Sequence, residues 1–240
     1  MSTIVIHQPH FLPWLPYISL ISAADYFVVL DNVQYKPRYF INRTKILTKP
    51  SGTLDWVTIP TTGTQSKETR EVAVVRDNFF IKSINKIAHN YRHASYFQHW
   101  ACIENEITNY QNKLLVDLNI SLLINILLII GIEAPIIIRS SQLPIFNTTC
   151  RTHRYQMICE ATNCDTILSG IGKAKDIHDI NSLREKGIDF HSMRSGPLKE
   201  FDIVEGLSLI HNLLMYGPRN THDLVVAFSN AAFGINRLSK

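Results

Sequence analysis

The order of residue types along the chain predicts an α/β fold: a single Rossmann-like layered domain over residues 1–240, with a mostly parallel sheet covered by helices on both faces. Two observations carry this. Short β-branched and aromatic runs alternate with longer helical segments, the pattern of right-handed crossovers between parallel strands. One of those runs, Tyr26–Leu30, is apolar without alternation, as a strand covered on both faces has to be.

The elements follow in order. Thr3–Ile6 is a β-branched run and predicts the first strand; Pro9, Pro13 and Pro16 punctuate a tight connection to a helix over Tyr17–Ala24. Tyr26–Leu30 is the second strand and ends at Asp31. Asp55–Pro60 reads as a strand, Pro60–Thr69 as a mobile polar loop, and Ile81–Asn90 and Trp100–Asn109 as helices. Leu114–Ile130 predicts a buried helix stopped by Gly131, followed by a strand over Ile136–Arg139 and a helix near Arg154–Ala161. A strand over Asp165–Ser169, another at Phe190–Ser192 and a helix over Ser208–Met215, ahead of Gly217-Pro218, complete the series.

The segment from Leu114 to Ile138 is the one membrane suspect. Asp117, Asn119, Asn125 and Glu133 interrupt it and Gly131 and Pro135 break it, whereas a spanning helix needs about 20 mostly apolar residues in a row. No membrane span is expected, and an amino-terminal stretch without a basic region or cleavable apolar run points to the cytoplasm. The four cysteines, Cys102, Cys150, Cys159 and Cys164, suit a reducing compartment. Their spacing with His153 fits no zinc pattern and suits ordinary buried thiols, so no metal is predicted; no motif names a bound cofactor, and none is predicted beyond an activated acyl donor.

At 240 residues the chain can bury a core without disulfides, and 45% hydrophobic against 18% charged residues is far from the composition of disorder. The balance of 24 Lys+Arg over 20 Asp+Glu tolerates anionic partners such as nucleotides. The basic residues are scattered in pairs, Lys36/Arg38, Arg43/Lys45 and Lys173/Lys175, which argues against a dedicated nucleic-acid surface.

Open α/β sheets place their ligands beyond the carboxyl ends of the strands. His7-Gln8-Pro9 falls at that end of the first strand and Asp31 at that end of the second, so an imidazole and a carboxylate that would orient it are expected at one edge. Asn42 and Arg43 add an amide and a planar fork suited to phosphate or carboxylate. Ser169-Gly170-Ile171-Gly172-Lys173 again follows a strand, and its glycines would let backbone N–H groups approach an anion while Lys173 adds charge; it lacks the GxxxxGK[ST] spacing of a Walker loop. No GxSxG, HExxH or GxGxxG is present, which lowers the weight of those reaction classes. Trp14 and Trp56 read as core residues more readily than as stacking platforms.

These pieces together resemble the WbqC-like family. The likeness rests on His7-Gln8-Pro9 with Pro13-Trp14 and Tyr17, the run Ala24–Tyr35, Asn42-Arg43, Trp56 with Ile59-Pro60, Leu118-Asn119, Ser140-Ser141 with Leu143, Ser169–Lys173, and Ser208-Leu209 through Gly217. It implies a protein of a surface-polysaccharide (O-antigen, lipopolysaccharide) gene cluster, and transfer of glycine to an amino sugar. The ligand-facing positions it implies are His7, Gln8, Asp31, Gln34, Asn42, Arg43, Ser169, Gly170 and Lys173. Pro16, Ala174 and His211 depart from the family pattern, as does Met193–Gly196 in place of a Tyr-x-Gln. A looser likeness to adenylyl-transferring nucleotidyltransferases supports a Rossmann-like layer order alone, because their signature histidines would fall on Phe11 and Trp14.

The expected reaction is N-acyl transfer. The amine of a nucleotide-linked amino sugar attacks an activated aminoacyl donor, which would be a thioester, a charged tRNA, or ATP plus the amino acid. His7 serves as base with Asp31 as its orienter, and Gln8, Gln34, Asn42, Arg43, Ser169, Gly170, Gly172 and Lys173 hold substrate. Two alternatives stay open: a non-catalytic sugar-nucleotide or carrier-binding module, and an ATP-dependent amino acid ligase.

Overall fold

A computed structural model describes residues 2–49, 51–146, 148–171 and 178–234. Five strands, β1 (Thr3–His7), β2 (Tyr26–Val29), β5 (Ile136–Arg139), β6 (Thr166–Ser169) and β7 (Asp189–Ser192), form one sheet in the order β5-β2-β1-β6-β7. Every pairing in it is parallel, with Val5 opposite both Phe27 and Leu168. The layered α/β architecture expected from the sequence is therefore present. The run Tyr26–Leu30 supplies an interior strand in which Phe27, Val28 and Val29 are fully buried.

Side chains of a strand alternate between faces, and the core divides accordingly. Val5, Phe27, Val29 and Leu168 pack with α1 (Leu15–Ser22), α4 (Leu115–Ile129) and α8 (Ile210–Phe233). Ile4, Ile6, Val28 and Ile167 pack on the other face with α5 (Arg151–Thr162) and α6 (Ile180–Glu185). Helix α4 is the long apolar segment, and none of the helices among the described residues is long and apolar enough to cross a membrane.

A second sheet, absent from the sequence reading, pairs β3 (Arg43–Leu47) antiparallel with β4 (Leu54–Thr58). Helix α2 (Asn78–Tyr91) holds it, with Ser83 Oγ donating to the Thr58 carbonyl at 2.8 Å and Lys86 paired with Asp55. Helix α3 (Trp100–Asn109) packs on α4. The short helix α7 (Gly196–Glu200) follows β7 and packs on α8. Helix α8 is kinked at Gly217, whose φ of 87° only glycine adopts without strain. A Cβ there would lie 2.7 Å from the Tyr96 ring.

Candidate functional site

Chain order sends β2 and β5 to one side of β1 and β6 and β7 to the other, so the sheet reverses between β1 and β6. The carboxyl ends of those two strands flank the crevice in which such sheets take ligands. His7 closes β1 and Ser169 closes β6.

His7 is half-buried, and its Nδ1 lies 2.9 Å from the Gln8 carbonyl. A carbonyl only accepts, so Nδ1 carries the proton and Nε2 keeps its lone pair. Burial lowers the pKa of the ring, partly opposed by that carbonyl, and the imidazole is neutral at pH 7. The Gln8 carbonyl also accepts from the Tyr17 hydroxyl at 2.9 Å, which ties the loop after β1 to α1. The Gln8 side chain reaches the Gln34 carbonyl at 3.4 Å, and the exposed Gln34 side chain donates to the Gln65 carbonyl at 2.7 Å.

Asp31 does not pair with His7, contrary to the expectation from sequence. Its fully buried carboxylate accepts from Ser140 Oγ (3.0 Å), Ser141 N (2.9 Å) and Ser141 Oγ (2.7 Å). Strand β2 lies between β1 and β5; Leu30 N still donates to the His7 carbonyl at 2.9 Å, and at Asp31 the chain meets the turn after β5, Asp31 N donating to Ser140 Oγ at 3.2 Å. There the 3₁₀ turn Ser140–Gln142 offers a backbone N–H and two hydroxyls to the anion. Asp31 is a clasp between two strand ends, and the Gln8 carbonyl takes the orienting role foreseen for it.

Asn42 and Arg43 are likewise held by the fold. Asn42 is buried and donates from Nδ2 to the Ile59 carbonyl at 3.0 Å. Arg43 opens β3 and lies over Trp56, its Cζ 3.9 Å from the ring centroid. Burial, then the charge of Arg38, lowers the Arg43 pKa, yet a guanidinium stays charged at physiological pH. No hydrogen bond or ion pair joins either residue to Ser169 or Gly170 among the described residues. Gly172 and Lys173 lie outside the described residues. Gly170 is half-buried, and a Cβ there would meet Leu20 at an ordinary 3.6 Å, so the backbone does not require glycine.

Sequence reasoning missed His10. It is 5% exposed and stacked between Tyr17 (4.2 Å) and Phe40 (5.3 Å), with its edge toward His7 at 5.0 Å. Neither ring nitrogen has a hydrogen-bond partner among the described residues. Burial, then the neighbouring His7, holds its pKa well below the usual value. The signal was the short spacing from His7 across a proline, which directs both rings at Tyr17. The rings continue outward, Phe40 to Trp14 at 6.4 Å and to Trp56 at 5.5 Å, so both tryptophans are half-buried ends of an aromatic row.

A cavity of about 790 Å³ adjoins this edge, lined by Ile171 after β6 and by Ser192, Arg194 and Ser195 after β7. A second, of about 490 Å³, lies at the opposite end of the sheet near Ser2, Asp165 and Ile188. Strand polarity favours the first. Cys150, His153, Cys159 and Cys164 do not converge. Cys150 caps α5 by accepting from the His153 N–H, Cys159 and Cys164 are buried, and no His/Cys/Asp/Glu group among the described residues is arranged to hold a metal ion.

The WbqC-like protein family matches residues 8–223, most of the chain. An uncharacterized protein of Mycobacterium tuberculosis is 38% identical over 60 residues, a stretch that spans 25% of this chain and 25% of that protein. No solved structure matches.

Proposed function

Because this chain belongs to the WbqC-like protein family, for which a role related to polysaccharide biosynthesis is supported, we propose that it is a transferase of surface-polysaccharide (O-antigen) assembly. It N-acylates the amino group of a nucleotide-linked amino sugar with glycine or a similar aminoacyl group.

The observation that carries the mechanism is the Nδ1 contact of His7 to the Gln8 carbonyl at the mouth of the crevice. An amine must lose a proton as it attacks. His7 offers a neutral Nε2 for that proton, and the fixed tautomer removes the need to reorient the ring. The sugar nitrogen bonds to the donor carbonyl carbon, His7 takes the amine proton, and the bond to the leaving group breaks. His7 then returns the proton to the departing oxygen or sulfur, so it is neutral again. Ser169 and Gly170, beside β1, border the space in which acceptor and donor meet, and Gln8 and Gln34 line its other wall.

Purified protein is incubated with UDP- or dTDP-linked amino sugars and labelled glycine, supplied as free amino acid with ATP, as a thioester, or on tRNA. Transfer from one of these donors is expected, with His7→Asn slowing turnover by about 10²–10⁴-fold and leaving the fold intact. Absence of transfer with all donors, together with tight sugar-nucleotide binding, would identify a binding module instead. Consumption of ATP and glycine without the sugar would identify a ligase.

A further inference from the structure

The first turn of α5 carries the wrong charge for its place in the helix. Aligned peptide dipoles make a helix start positive, so carboxylates are favoured there and cations at the far end. Helix α5 opens Arg151-Thr152-His153-Arg154 with no acidic residue in that turn. The Cys150 side chain takes the His153 N–H and the Cys150 carbonyl takes that of Arg154. The N–H groups of Arg151 and Thr152 have no partner among the described residues. Arg151 is exposed, and Arg154 spends one Nη on the Thr148 carbonyl.

This turn belongs to the ligand edge. Helix α5 leads into β6, so it begins at the carboxyl end of the sheet. Tyr155, in its second turn, donates its hydroxyl at 3.1 Å to the carbonyl of Ile6, the residue before His7. The turn lies on the opposite face of the sheet from the His7 ring, because successive strand residues point to opposite faces.

His178 is an independent sign of a ligand. It is 9% exposed, its Nδ1 is buried without a partner among the described residues, and its ring stacks on Tyr155 at 4.1 Å. The Asp179 N–H donates to Thr152 Oγ1 at 3.0 Å, which fixes His178 against the same turn. Asp179, the carboxylate next to it among the described residues, is turned away to cap α6 through Ser182 N at 3.1 Å. Among the described residues, two guanidinium groups, two N–H groups without a partner and an unpartnered imidazole thus lie on or against this turn, and no carboxylate is bonded to them, a donor set suited to phosphate.

We propose that the start of α5 is a phosphate subsite that holds the diphosphate of a nucleotide-linked sugar, with Arg151, Arg154, His178 and the backbone N–H groups of Arg151 and Thr152 as its donors. The proposal rests on the acceptor named under the proposed function and adds where its charged part is held. The sugar would then project past Tyr155 and Ile6 toward His7.

Calorimetric titration of the full chain with uridine diphosphate, inorganic pyrophosphate and uridine tests it. The two diphosphates should bind and uridine should not, with affinity falling as salt rises. Arg151→Gln removes an exposed side chain that makes no hydrogen bond or ion pair among the described residues, and it should weaken uridine diphosphate about tenfold, the effect of one charge-assisted contact. His178→Asn should weaken it as well, with unchanged circular dichroism. Equal affinity in wild type and both variants, or no diphosphate binding by the wild type, would overturn the subsite. The glycyl-transfer assay is separate: transfer that persists in Arg151→Gln with unchanged sugar-nucleotide affinity removes this subsite and leaves the transferase reading, whereas diphosphate binding without transfer does the reverse.

Discussion

Asp31→Ala removes a carboxylate that is fully buried and accepts three hydrogen bonds from Ser140 and Ser141. Bonds to a charged acceptor are worth about 1.5–3 kcal/mol each, but the three do not simply add. Ser140 Oγ already reaches Asn32 Oδ1 at 2.6 Å and would keep a partner. The Ser141 N–H has no such substitute and would be left unsatisfied beside a new cavity. A loss of about 3–5 kcal/mol follows, a large part of the ~5–15 kcal/mol that holds an ordinary domain. Asp31→Asn keeps an acceptor for the N–H and lets the Ser141 hydroxyl turn to accept, so about 1–2 kcal/mol is expected. Urea unfolding followed by tryptophan fluorescence reads both. Combined with His7→Asn, the stability changes should add within about 0.5 kcal/mol, because the two residues share no partner. The losses in turnover should also multiply independently. An Asp31→Ala protein that loses under 1 kcal/mol would refute the clasp, and rate losses that overlap by more than tenfold in the double variant would show that His7 and Asp31 act as one unit after all.

Three further outcomes follow. His10, with an ordinary pKa of 6.5 that burial depresses in the fold, binds a proton more readily when unfolded. Its contribution is therefore present above pH 6.5 and declines as pH falls below it, by up to about 1.4 kcal/mol per pH unit. His10→Phe should flatten that slope in urea midpoints between pH 5 and 7.5 and raise stability at pH 5; an unchanged slope would assign it to other histidines. Maleimide under native conditions should label the exposed Cys102 and Cys150 and spare the buried Cys159, whose thiol burial pushes up to about 12, and Cys164; mass spectrometry showing rapid quadruple labelling would contradict this. Gly217→Ala places a Cβ 2.7 Å from Tyr96 at a φ of 87° and should destabilise by about 2–4 kcal/mol in thermal unfolding, with Tyr96→Ala relieving part of the loss.

What was legible in the sequence depended on periodicity. Strand β5 and helix α3 fall where residue pattern put them, and α4 differs by a residue at each end. Strand β3 was hidden because Arg43, Lys45 and Leu47 are half-buried and only Thr44 and Ile46 face inward, so the run looked like a charged loop. Arg43, expected from its planar fork and the family likeness to meet phosphate, lies over Trp56 across that hairpin, a contact that could not be read without β3. Gly217-Pro218 read as a stop, yet a proline suits the first turn of a helix and α8 resumes beyond it. Strand polarity put His7 and Ser169 on one edge of the sheet, at the ends of two neighbouring parallel strands. The direction in which a loop turns after its strand is set by tertiary partners, and Asp31 found Ser140-Ser141, a pair distant in sequence that no local pattern ties to it.

The position of β1 in the middle of the sheet also sets the timing of assembly. β2 can pair with it almost at once, but its other neighbour, β6, is made only when synthesis passes Thr166. At about 5–20 residues per second, the edge formed by Thr3–His7 stays open for roughly ten to thirty seconds. An open apolar edge of Ile4, Val5 and Ile6 is a template for pairing with another chain. Fragments that end before β6 should therefore accumulate as aggregates and not as folded halves, and slower, cooler expression should favour the complete protein.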